Sequence, residues 1–126
     1  MSAEDLAVAG LFFDALESAA STGDRDRLYA LLSSDVEWQT PLRTLHGVRA
    51  LQDEPGWPWA EPRPAFDVGL EDKQTVDLGD GRVVADFREV YRMKDSGDFA
   101  YERKRQIELT IRDEKVARYE LRFGGS

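Results

Sequence analysis

Cysteine is absent from this 126-residue chain and histidine occurs once, at position 46. The first absence excludes disulfides, thiolate metal sites and a cysteine nucleophile, and the second excludes a multi-histidine metal centre. No apolar run approaches the roughly 18 residues that read as a membrane span. Met1 to Ala20 carries Glu4, Asp5, Asp14 and Glu17 with no basic stretch, so it does not read as a secretory signal. Basic residues are outnumbered, 17 Lys and Arg against 25 Asp and Glu, and the net charge of −8 repels nucleic acid and anionic membranes at long range. Neither of those partners is expected, nor a metal or cofactor, and the chain reads as a cytoplasmic protein.

At this length one domain over residues 1–126 is expected, burying roughly two thirds of its unfolded surface. Leu6, Ala9, Phe13, Leu16 and Ala20 recur at alternating threes and fours, widened by Phe12, which predicts an N-terminal helix that Ser2 can cap. Ser21 to Asp24 stops it and starts a second helix carrying Leu28, Leu31 and Leu32, which Ser33-Ser34-Asp35 breaks. Val36 to Thr40 reads as a strand ended by Pro41, and Val48 to about Asp53 as a brief helix. Pro55, Pro58, Pro62 and Pro64 then impose a loop holding Trp57 and Trp59, either a lid or a plug. The remainder alternates as strands: Ala65 toward Leu78 with a bulge near Gly69, Arg82 to Met93, Phe99 to Ile111, and Val116 to Phe123. The expected class is α+β, with a curved antiparallel or mixed sheet wrapped around two or three N-terminal helices.

The third of these strands is anomalous. With a period of two, Phe99, Tyr101, Arg103, Arg105, Ile107, Leu109 and Ile111 share one side, so two arginines point where the apolar residues point. A guanidinium on an inner face must be paired, solvated in a cavity or kept for a ligand, because an unpaired buried charge costs several kcal/mol. The same parity turns Phe87 and Glu89 inward on the preceding strand, Tyr119 and Phe123 on the last, and Trp38 and Thr40 on the first. The expected cavity is therefore lined by Trp38, Thr40, Phe87, Glu89, Tyr101, Arg103, Arg105, Tyr119 and Phe123. Glu89 and Arg105 either neutralise each other as a fork-shaped pair with Tyr119 as donor, or form a catalytic set in which Glu89 moves a proton, Arg105 orients it and Tyr119 donates. In the binding version, Arg103 or Arg105 meets the anionic end of a small apolar or amphipathic molecule. His46, the one group titrating near neutrality without perturbation, is a weaker candidate base. Asp86, Arg88, Arg92, Glu102, Lys104, Glu108, Arg118, Glu120 and Arg122 fall on the outer face as a mixed-charge ladder.

The order of helix, Gly23-Asp24, helix, Asp35-Val36-Glu37, a proline after the strand, His46-Gly47 and a sheet ending in Lys115-Val116-Ala117-Arg118-Tyr119 resembles the nuclear transport factor two-like superfamily. That group includes ketosteroid isomerases, SnoaL-like polyketide cyclases and limonene epoxide hydrolase. The resemblance implies a cone whose concave sheet face and helices enclose a mostly apolar cavity, and a homodimer formed through the outer sheet face. It also implies a negative. The isomerase base position falls on Thr40, the oxyanion tyrosine near Leu16 and the protonated aspartic acid near Ile107, so the classical isomerase set is missing. Of the epoxide hydrolase pattern, an arginine between two carboxylates, only Arg105 and Glu89 are present. An isomerase, cyclase or hydrolase built on Glu89, Arg105 and Tyr119 remains the enzymatic alternative to a binding module, with a structural or protein-binding domain as a third.

Overall fold

The structure is a computed structural model and describes residues 2–54, Trp57 and residues 66–123. Helix α1 (Ser2–Thr22) buries Ala9, Phe12, Phe13 and Leu16 as its spacing predicts, while at the ends of the stripe Leu6 and Ala20 are half-buried and Ala19, not Ala20, is the buried alanine. Its end is set by Gly23, whose amide returns to the Ala19 carbonyl at a φ of +79°, a conformation that costs glycine nothing. Helices α2 (Asp26–Ala30) and α3 (Val48–Gln52) are single short turns, each anchored by one buried leucine, Leu28 and Leu51. Among the described residues no helix is long and apolar enough to cross a membrane.

The strands are β1 (Leu32–Gln39), β2 (Thr44–His46), β3 (Phe66–Gly79), β4 (Arg82–Met93), β5 (Phe99–Arg112) and β6 (Lys115–Phe123). They form one sheet in the order β2-β1-β6-β5-β4-β3, antiparallel throughout except for the parallel pair β1 and β6. The hairpin β3–β4 turns through Gly79, Asp80 and Gly81, all with φ between +55° and +87°. Asp113 and Glu114 turn β5 into β6 at φ of +54° and +62°. The sheet's inner face and α1 enclose the core, to which Val83, Ala85, Phe87, Ile107, Leu109, Val116 and Tyr119 contribute from the sheet side.

Three expectations change. Strand β1 begins at Leu32, not Val36, because its backbone pairs with β6 on either side of an irregularity between Leu32 and Glu37 that absorbs Ser33-Ser34-Asp35. The three residues of β2, which the sequence pattern assigns to no element, pair with the end of β1, Trp38 opposite Leu45. Strand β3 shifts register between Glu71 and Gln74, where Asp72 takes a φ of +56°, and again between Asp77 and Gly79 at the hairpin end, and not at Gly69.

The outer face carries the expected charge ladder. Glu108, 4% exposed, accepts from Arg82 Nε at 2.9 Å and from Arg122 Nη2 at 2.8 Å. The Arg82 hydrogen bond outweighs burial and holds the Glu108 carboxyl below its ordinary range. Arg88 reaches Asp72 and Glu102, Arg92 reaches Glu71, and Arg118 reaches Glu37 and Gln39.

Candidate functional site

Strands β4 and β5 pair with Phe87 opposite Arg105, Glu89 opposite Arg103 and Tyr91 opposite Tyr101. Opposed residues in an antiparallel pair share a face, and Phe87, Glu89 and Tyr91 are all buried, so the two arginines lie on the inner side. Glu89 is 2% exposed and keeps its place through three neighbours that converge on one oxygen. Arg105 Nε donates to Glu89 Oε1 at 3.1 Å and the Tyr91 hydroxyl donates to the same atom at 3.0 Å. Arg103 Nε lies 3.9 Å from it, beyond hydrogen-bond reach, while Arg103 Nη2 donates to the Tyr91 hydroxyl at 3.1 Å. No hydrogen bond among the described residues reaches Glu89 Oε2. The Glu89–Arg105 contact is thus a single bond and not the expected fork.

Rings build the wall beside these charges. Tyr91 and Tyr101 stack at 4.4 Å, Phe66 meets them edge-on at 6.0 and 5.7 Å, and the Arg103 guanidinium carbon lies 5.3 and 5.8 Å from the two tyrosine centroids. Burial first, then the Glu89 carboxylate, pushes the Tyr91 hydroxyl up to about 12. Burial works against the charge on Arg103, yet Tyr91 and Glu89 together hold its pKa above the ordinary arginine value.

Tyr119 and Trp38 lie elsewhere. They stack on each other at 3.6 Å in the β1/β6 half of the inner face, beside Phe12 and Trp57, and the Tyr119 hydroxyl makes no hydrogen bond to Glu89. Burial drives its pKa far above the phenol value, with Glu89 adding to the rise. The donor to Glu89 is therefore Tyr91, two residues along on the same face, a role the sequence reading assigned to Tyr119. Trp57 is 2% exposed, stacked on Tyr29 at 5.2 Å, so its ring is part of the packing. Thr40 lies past the end of β1, where its hydroxyl donates to the Arg43 carbonyl at 3.2 Å and accepts from the Leu42 amide, so it closes a turn instead of lining the inner face. Phe87 is buried against Phe13. His46 is exposed at the end of β2. Leu16 and Ile107 belong to the apolar core. Trp59 and the Phe123 side chain lie outside the described residues, though the β6 register sets Phe123 opposite Arg105.

The inner face is thus divided. An aromatic half on β1, β6 and α1 is filled by Phe12, Trp38, Trp57 and Tyr119, and a polar half on β4 and β5 holds Glu89, Tyr91, Tyr101, Arg103 and Arg105. Phe66 and Tyr91 were the members not singled out beforehand. Glu89-Val90-Tyr91 carried the signal for the tyrosine, since its parity equals that of Glu89.

No protein-family model matches the sequence, and no curated protein matches it. Solved structures do. A nuclear transport factor two-like protein from Anabaena variabilis superposes with a TM-score of 0.74 over 98% of this chain and 91% of its own, at 19% identity. A protein provisionally named a polyketide cyclase, from Sinorhizobium meliloti, gives 0.65 over 91% of this chain and 93% of its own, at 22% identity. A protein with a ketosteroid isomerase-like fold from Catenulispora acidiphila, solved with trimethylamine, gives 0.65 over 90% and 85%, at 16% identity. With its N-terminal helix against an open six-stranded mixed sheet, the chain has the α+β cone fold of the nuclear transport factor two-like superfamily.

Proposed function

We propose that this chain is a small-molecule-binding domain whose site is the polar half of the inner face, with Arg103 meeting the anionic end of an apolar or amphipathic ligand. Arg103 carries the reading. Arg105 already holds the Glu89 carboxylate, so among the described residues the cluster contains two guanidiniums for one carboxylate and is one positive charge in excess. Arg103 spends one nitrogen on Tyr91, keeps 39% of its side chain exposed and rests on aromatic rings that would also flank an apolar ligand body. The trimethylamine held by the Catenulispora acidiphila protein supports the view that this fold admits small ligands. Here a built-in cation already occupies the tyrosine faces, which favours an anion over an amine.

The enzymatic alternative rests on a different atom. Glu89 Oε2 is free of donors among the described residues, and a carboxylate with one oxygen fixed and the other open is suited to moving a proton, with Arg105 as orienter and Tyr91 in the place given to Tyr119. That version still binds its substrate through Arg103.

The test is thermal-shift and calorimetric titration of the whole chain with aromatic and aliphatic monocarboxylates of increasing size, beside their amides. Carboxylates should bind, their amides should not, and Arg103→Met should abolish the difference while lowering the melting temperature by only a few degrees. Equal behaviour of acids and amides would sink the reading.

A further inference from the structure

We infer that the free edge of β3 is a self-association surface that pairs antiparallel with the β3 of a second copy about a twofold axis at Thr75. Among the described residues, strand β3 closes one side of the sheet and has β4 as its only strand neighbour. Its first half is already covered, because Glu17 of α1 accepts the Leu70 amide at 2.6 Å and Ser21 donates to the Val68 carbonyl at 3.3 Å. Past the bulge this cover stops. Residues Asp72 to Val76 are exposed, as is Leu78, and Val76 and Leu78 show 55% and 48% of their surface. A bare strand edge with exposed apolar side chains is a template for another strand.

Hydrogen-bond phase and charge select the partner. The Leu70 amide points away from β4, and Leu70 stands opposite Glu89. Thr75 stands opposite Ala85 and Asp77 opposite Val83, at even steps along β4 from Glu89, so their amides and carbonyls also point outward. An antiparallel twofold at Thr75 therefore lets the two copies of Thr75 exchange both backbone bonds. It places Lys73 of each copy opposite Asp77 of the other, the Thr75 side chains opposite each other, and the two Val76 side chains on one diagonal of the outer face. Among the described residues neither Lys73 nor Asp77 has an ion-pair partner, Asp77 Oδ1 accepting only from the Gly79 amide at 2.7 Å, so an unrelated strand would meet two uncompensated charges whereas a second copy pairs them. The outer face has less to offer a partner, since the guanidiniums of Arg82, Arg88, Arg92, Arg118 and Arg122 are all engaged within the chain.

Sedimentation velocity over a wide concentration range tests this. The native chain should show a concentration-dependent dimer. Thr75→Pro removes an outward amide, which an edge strand tolerates, and should abolish the dimer while keeping the native melting temperature. Lys73→Asp should weaken it by like-charge opposition, and Lys73→Asp with Asp77→Lys should restore it. A native chain that is monomeric at every concentration, or a dimer that Lys73→Asp leaves as strong as before, overturns the inference whether or not Thr75→Pro folds.

Discussion

The Tyr119 ring lies flat on the Trp38 indole, centroids 3.6 Å apart and planes within 4°, and this stack decides which tyrosine serves Glu89. The two residues are opposite partners in the parallel pairing of β1 with β6. Tyr119 is thereby spent on packing, and the Glu89 carboxylate takes its donor from its own strand.

That division predicts opposite behaviour of two tyrosines. Tyr119→Phe removes a hydroxyl with no hydrogen bond among the described residues and should leave stability nearly unchanged. Tyr91→Phe removes the donor to Glu89 and the acceptor of Arg103, and should cost about 1–3 kcal/mol, the usual penalty of leaving buried polar partners unmade. Urea denaturation of both variants checks this, and a reversed order would return the donor role to Tyr119.

How much of this was legible beforehand follows from how local each signal is. The alternation from Phe99 to Ile111 sufficed to put Arg103 and Arg105 inside, because a long strand with one buried face fixes the side of every residue at once. The division of the inner face was not legible. Trp38, Tyr119, Glu89 and Tyr91 share it, and only the parallel pairing of β1 with β6, remote in sequence, puts the first two against each other. Ser33-Ser34-Asp35 has turn chemistry and still lies in a strand, since neighbouring backbone overrides weak local preference. The bulge was sought at a glycine, but Asp72 tolerates the left-handed conformation and is held there by Arg88.

Alkaline pH should loosen the polar half. The Tyr91 pKa is raised from 10.0 to about 12, so the folded state favours the protonated phenol. Its contribution is complete below the unfolded value near 10 and is lost as pH rises through about 12. Tyr119, raised in the same sense, adds to the loss. The denaturation midpoint should fall across this window, and Tyr91→Phe should flatten part of the fall. A parallel decline in the variant would show that Tyr91 does not carry it.

The two arginines should separate stability from binding. Arg105→Met strips the buried Glu89 carboxylate of its charged partner and should destabilise by about 3–5 kcal/mol, with much of that recovered in Glu89→Met with Arg105→Met. Arg103→Met removes a more exposed group whose one hydrogen bond among the described residues goes to Tyr91 and whose contact with Glu89 is long, so it should cost about 1 kcal/mol while abolishing the preference for carboxylates over amides. Chemical denaturation and the carboxylate titrations measure the two effects separately. A large stability loss in Arg103→Met with unchanged carboxylate binding would make Arg103 a structural residue.

Acid should act on the outer face through Glu108. Its pKa is depressed below 4.5, first by the Arg82 hydrogen bond, with Arg122 adding to it, so the ionised form is the one the fold prefers. The stabilisation is therefore complete above the unfolded value and is lost as pH falls through the lower folded one. Glu108→Gln should be less stable than the native chain at neutral pH, and the gap should narrow progressively below about pH 4.5. Because the Arg82 and Arg122 side chains are 49% and 42% exposed, salt should also shrink the gap at neutral pH. Urea midpoints of the two proteins from neutral to strongly acidic pH, at low and high salt, supply the comparison. A gap independent of pH would mean that Glu108 stabilises the sheet by packing and neutral hydrogen bonding, and that its charge contributes nothing.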